Sequence, residues 1–201
     1  MNGIYEFMGY KPVLAESVYV HPTASVIGDV FIGENVYIGP GASLRGDMGR
    51  IIVKNGCNIQ DNCTVHMFPG VTVVLEENSH IGHGAIVHGA RLGRNCLIGM
   101  NAVLMDDVVL GSGCIVGAGS FVKAKTVIAD RKLIVGNPAK IIKDVSDEML
   151  EWKKKGTIFY QELARESLKS IKMCEPIFDN DFNKSEINRK ILEFGDYKTF
   201  K

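Results

Sequence analysis

The sequence predicts an all-β solenoid closed by a C-terminal α-helix, on three observations. An aliphatic residue returns every sixth position over most of the chain, glycine follows many of these residues, and the period stops after Gly136-Asn-Pro-Ala-Lys140, where a capped amphipathic segment takes over. A helix of about 3.6 residues per turn would smear a six-residue period around its circumference. Short strands joined by tight turns instead point one large residue inward per repeat, with glycine relieving the turns.

The repeat starts at Val20, Val26, Ile32, Ile38 and Leu44. After three extra residues it resumes at Val53, Ile59 and Val65, and after four more at Leu75, Ile81 and Val87. It slips by one residue to Leu92, then holds through Ile98, Leu104, Leu110, Val116 and Val122. The fifth residue of each repeat is usually small, and Cys57, Cys63, Cys96 and Cys114 all fall there. They read as core residues rather than catalytic thiols. The spacing supports roughly six coils over residues 10–135, stacked as aliphatic ladders. Residues 1–140 are therefore read as the β domain. Residues 141–173 follow as a helix on its outside, with Ser146 as N-cap and Met149, Trp152, Gly156, Tyr160, Leu163 and Ser167 along one face. Residues 174–201 form a tail, docked or partly disordered.

Composition narrows the function classes. Lys plus Arg and Asp plus Glu both total 23, so no net field draws the chain to nucleic acid or an anionic membrane, and a small-molecule substrate fits better. No apolar run reaches the ~18–20 residues of a membrane span, and the opening residues lack the regions of a signal peptide, so a cytoplasmic location is expected. The five cysteines contain no C-x-x-C pair, which argues against a disulfide framework and a thiolate zinc site.

The register points to the candidate site. Leu44, Val65 and Val87 begin repeats on one face when the extra residues after Leu44 and Val65 are treated as loops, so Arg45, His66 and His88 form one outward column. Adjacent strands lie about 4.7–4.9 Å apart, close enough for two imidazoles to tilt toward one ion at about 2.0–2.1 Å. His83 sits on the neighbouring face, with Gln60 and Asp61 one coil before it. It would reach the pair only from a second copy across a threefold axis. His21 and His80 read as ordinary surface, His80 flanking the cluster. Three neutral imidazoles leave zinc an open position, the arrangement of a catalytic metal.

The segments Leu44-Arg-Gly-Asp47, Asn58-Ile-Gln-Asp61, Val65-His66, Gly82-His-Gly-Ala-Ile-Val-His-Gly89 and Ile98-Gly-Met100 closely resemble the γ-class carbonic anhydrases of the hexapeptide-repeat family. Ile4-Tyr-Glu-Phe7 and the stretch from Trp152 through Leu163 look most like that family's phenylacetate-degradation and carnitine-operon branch. The resemblance implies a left-handed parallel β-helix and a homotrimer. It also implies Zn2+ held by His66 and His88 of one subunit and His83 of the next, with Fe2+ or Co2+ also suited to imidazole. Carried over, Arg45 and Asp47 would organise the interface and anchor bicarbonate, Gln60 would orient the metal-bound hydroxide, Asn58 and Asp61 would support the pocket, and Tyr160 would stand over it. The implied reaction is attack of that hydroxide on CO2, or on an ester or thioester carbonyl. The chain departs from the methanogen enzyme in its loop: Met67-Phe-Pro-Gly70 leads quickly to Glu76 and Glu77, without the longer acidic segment that carries a proton-shuttling glutamate. That speaks against fast CO2 hydration but not against zinc. Three alternatives remain: a thioesterase acting on CoA thioesters with the same metal site, an acyltransferase of the same fold using an acyl-CoA donor and one histidine as base, and a silent assembly subunit.

Overall fold

A computed structural model describes residues 3–176. The tail expectation lies, from residue 177 onward, outside the described residues. The chain winds into a left-handed parallel β-helix of about 7 turns with a single C-terminal helix. The turn beyond the expected six comes from both ends. Ile4–Tyr5 and Val13–Leu14 pair in parallel onto Ser25–Ile32, and Lys132–Gly136 pairs in parallel onto Ile115–Val116.

Three aliphatic ladders form the core, one per face. Leu44, Val65, Val87, Leu104 and Val122 are successive in-register partners on the first. Ile38, Ile59, Ile81, Ile98, Val116 and Ile134 stack on the second, and Val53, Leu75, Leu92, Leu110 and Ile128 on the third. Nearly all are fully buried, each burial contributing on the order of 1.5–3 kcal/mol. The cysteines at 57, 63, 96 and 114 are buried in the same core.

Glycine turns corners as expected, at positive φ in Gly41, Gly56, Gly84, Gly113 and Gly119, but it shares that role, and one expected loop is absent. Several corners are turned by asparagine in the left-handed region, at Asn35, Asn62, Asn78, Asn95 and Asn101, because its short polar side chain tolerates that conformation. Glycines that directly follow an inward residue, such as Gly99, serve close approach: a Cβ there would lie 2.4 Å from the Ala118 nitrogen on the next coil. The extra residues after Leu44 are not a loop. They lie in one continuous strand, Ser43–Val53, paired along Ser25–Ile32 with a register shift between Gly28 and Val30. Gly46 permits this, since a Cβ there would lie 2.5 Å from the Asp29 carbonyl oxygen.

The solenoid ends where Lys132–Gly136 folds back antiparallel onto Ala139–Asp144, so strand structure runs past residue 140. Ser146 then caps the helix Asp147–Ser170, its Oγ accepting from the Met149 nitrogen at 3.2 Å. The helix packs on the strands Tyr19–Val20, Tyr37–Ile38 and Asn58–Ile59. Its buried seam runs through Lys153, Gly156, Thr157 and Ala164, rotated from the expected stripe, while Tyr160 and Leu163 pack beside it. Lys153 is 1% exposed and donates to the Asn78 carbonyl. Among the described residues no helix is long and apolar enough to cross a membrane.

Candidate active site on two faces of the prism

The expected column is present. His66 and His88 are direct register partners, their ring centroids 5.4 Å apart, one coil on from Leu44-Arg45. Asp47, at the bend of the strand Ser43–Val53, bridges the column: Oδ2 accepts from Arg45 at 2.9 Å and Oδ1 lies 2.9 Å from His66 Nε2. His88 Nδ1 lies 2.7 Å from Asp106 Oδ1, and the exposed Phe68 ring stands edge-on to His88 at 5.0 Å. With Nδ1–H given to the Asp106 carboxylate, the His88 lone pair sits on Nε2, ready for a proton or a metal.

Asp106 was not anticipated. It is the third residue of the repeat begun by Leu104, one coil beyond His88 and one position past Met105, which continues the column, so the second-position register did not point to it.

The second group sits on the neighbouring face. His83 Nδ1 lies 3.0 Å from Asp61 Oδ2, and its Nε2 lies 3.4 Å from the Tyr160 hydroxyl, which the helix brings over this face. Asn58 and Gln60 do not line the surface: they are 0% and 2% exposed. Gln60 Nε2 donates to Asn58 Oδ1 at 2.9 Å and contacts His80 Nε2 at 2.6 Å.

His80 is not the surface residue that its isolated position suggested. It lies beneath Tyr160, rings perpendicular at 5.3 Å, and its pKa is depressed to about 3 by burial, with the Lys153 and His83 charges adding. The imidazole is thus neutral at physiological pH. His80 Nδ1 and Asn58 Nδ2 are buried without hydrogen-bond partners, an uncommon pair of orphans. Burial also pushes Tyr37, packed on Tyr160 at 5.4 Å, up to about 12.

Within one chain, then, the expected residues fall into two groups, and no cluster of three or more His, Cys, Asp or Glu among the described residues is placed to hold a metal ion.

Comparison with known proteins agrees with the coils. The family "Bacterial transferase hexapeptide (six repeats)" matches residues 89–124. The carnitine operon protein CaiE of Citrobacter koseri is 48% identical over 183 residues, covering 91% of this chain and 93% of that one. The chain belongs to the hexapeptide-repeat family, beside the CaiE proteins. CaiE of Escherichia coli is 46% identical over the same shares. Among solved structures, a Bacillus cereus protein provisionally described as an acetyltransferase superposes with a TM-score of 0.81 at 32% identity, covering 83% of this chain and 98% of that one. A hexapeptide transferase family protein from Anaplasma phagocytophilum gives 0.78 at 33%, over 81% and 96%.

Proposed function

We propose that the chain is an acyl-transfer enzyme that takes an acyl thioester, with His88 as general base and the site completed between copies in a homotrimer. The observation that carries this is the 2.7 Å His88–Asp106 contact, which favours the tautomer with its proton on Nδ1 and its lone pair on Nε2. The acyltransferase description of the Bacillus cereus relative supports the same chemistry.

His88 Nε2 takes the proton of the acceptor, an amine, a hydroxyl or water, as the acceptor attacks the thioester carbonyl carbon. The C–S bond then breaks, and the departing thiolate receives that proton. Asp106 stabilises the imidazolium formed between the two steps, as the third group of such a set does.

A second reading, the zinc-dependent γ-carbonic anhydrase-like enzyme hydrating CO2 or hydrolysing a thioester, is favoured by the carboxylate beside each of His66, His83 and His88. Ligand histidines ordinarily carry such an outer carboxylate, so the residues fit a metal. His83 and His88 would bind through Nε2, whereas His66 has Asp47 on Nε2 and would bind through Nδ1 or turn its ring. Zinc held there would polarise a carbonyl and lower the pKa of a bound water to about 7.

One preparation separates the readings. Metal content per chain and oligomeric state are measured, then CO2 hydration, thioester hydrolysis and acyl transfer to amines are assayed before and after chelation. Thioester turnover that survives chelation but is lost in His88→Ala supports acyl transfer by base catalysis. About one metal per chain, with activity abolished by chelation, favours the second reading. Full turnover in His88→Ala would overturn both.

A further inference from the structure

The face that carries Asp47 continues into an open cavity of about 260 Å3, walled by Phe7, Met8, Tyr10 and Met48 and bordered by Asp29 and Asp47. All four apolar side chains are exposed. Scattered exposed apolar residues are ordinary, but a contiguous set around a concavity marks a binding surface. The way they are presented points the same way. Phe7 and Tyr10 exchange backbone hydrogen bonds at 3.0 and 2.9 Å, closing a two-residue turn with Met8 at φ 48°. Asparagine or glycine would suit that tip better, so folding does not account for a methionine there.

The charge at the cavity is already satisfied. Asp29 pairs with Arg50 at 3.0 Å, and Asp47 with Arg45 and His66 at 2.9 Å each. A neutral guest therefore fits better than an ion. The cavity lies beside the histidine column: its lining residue Asp47 is 2.9 Å from His66 Nε2, and the His66 ring is 5.4 Å from that of His88. The cavity falls short of the ~300–1,000 Å3 that holds a whole drug-sized ligand, so it suits one moiety of a larger substrate.

We propose that this cavity is the acyl subsite, receiving a compact, neutral, apolar acyl group while the thioester carbonyl lies at His88. This rests on the acyl-transfer reading and specifies its substrate class.

The test is kcat/KM of the purified full chain toward acetyl-, hexanoyl-, benzoyl- and succinyl-CoA, for the wild type, Met48→Trp and Met8→Gly, with oligomeric state measured on each. The wild type should prefer hexanoyl or benzoyl over acetyl by about tenfold or more, the scale that apolar pocket contacts discriminate, and use succinyl worst. Met48→Trp should cut the benzoyl-to-acetyl ratio about tenfold; Met8→Gly, at an exposed turn, should cut it less. Ratios unchanged in both variants while turnover persists would overturn the subsite and leave acyl transfer standing. Equal loss on every substrate together with dissociation of the oligomer would also overturn it, making this surface an interface between copies. A wild type that turns over none of the four would bring down the acyl-transfer reading and the subsite together.

Discussion

Asp106→Asn tests the base directly. The contact it alters is 2.7 Å long between side chains 22% and 18% exposed, the length and setting of a charge-assisted hydrogen bond. Such bonds contribute about 1.5–3 kcal/mol against about 0.5–1.5 for neutral ones. Asparagine keeps the shape and loses the charge, so about 1–1.5 kcal/mol of imidazolium stabilisation should go, roughly five- to fifteenfold in rate. If the new amide turns its NH2 toward Nδ1, the ring proton moves to Nε2 and the base is disabled, extending the loss toward ~100-fold or beyond. The assay is thiol release from an acyl thioester across pH, with melting temperature recorded on the same samples. A drop in kcat/KM of less than about threefold at unchanged melting temperature would refute His88 as the base oriented by Asp106.

Two further outcomes follow from packing. Burial lowers the Lys153 ammonium from 10.5 to about 8. Between those values the unfolded chain holds more protons than the folded one, so stability should rise with pH from about 8 to 10.5, by about 3 kcal/mol at most for this displacement. Denaturant titrations of Lys153→Met should show that rise flattened; an identical slope in both proteins would sink the assignment. Gly46→Ala drives a Cβ to 2.5, 2.7 and 2.9 Å from the Asp29 backbone. It should cost about 1–3 kcal/mol in urea unfolding and reduce turnover by displacing Arg45 and Asp47, whereas an unchanged midpoint would contradict the close strand approach.

What the sequence disclosed was position along a ladder. The six-residue period fixes coil and face, so the pairing of His66 with His88 and the separate face of His83 could be counted out. Side-chain depth could not. Gln60 and Asn58 count as outward residues, yet the helix brings Tyr160 over His80 and His83 and leaves both nearly inaccessible. Where a helix crosses a sheet depends on how its ridges seat, and here Lys153 took the seam in place of Trp152. His80 was misjudged for the same reason: its outward position is correct, but that side of the prism is covered. Asp106 stands one position off the column, which Met105 continues, so only the side-chain geometry brings it to His88.

The antiparallel return of Ala139–Asp144 on Lys132–Gly136 bears on solubility. A stack of parallel rungs offers its terminal rung as a template on which another molecule could continue, end on end, into a fibre. On the sheet that ends in this hairpin, the growing edge is already occupied by a strand of opposite polarity, rich in lysine. An incoming first rung, Tyr19–Val20 of another copy, would meet reversed strand polarity there, so this sheet offers no parallel template to continue.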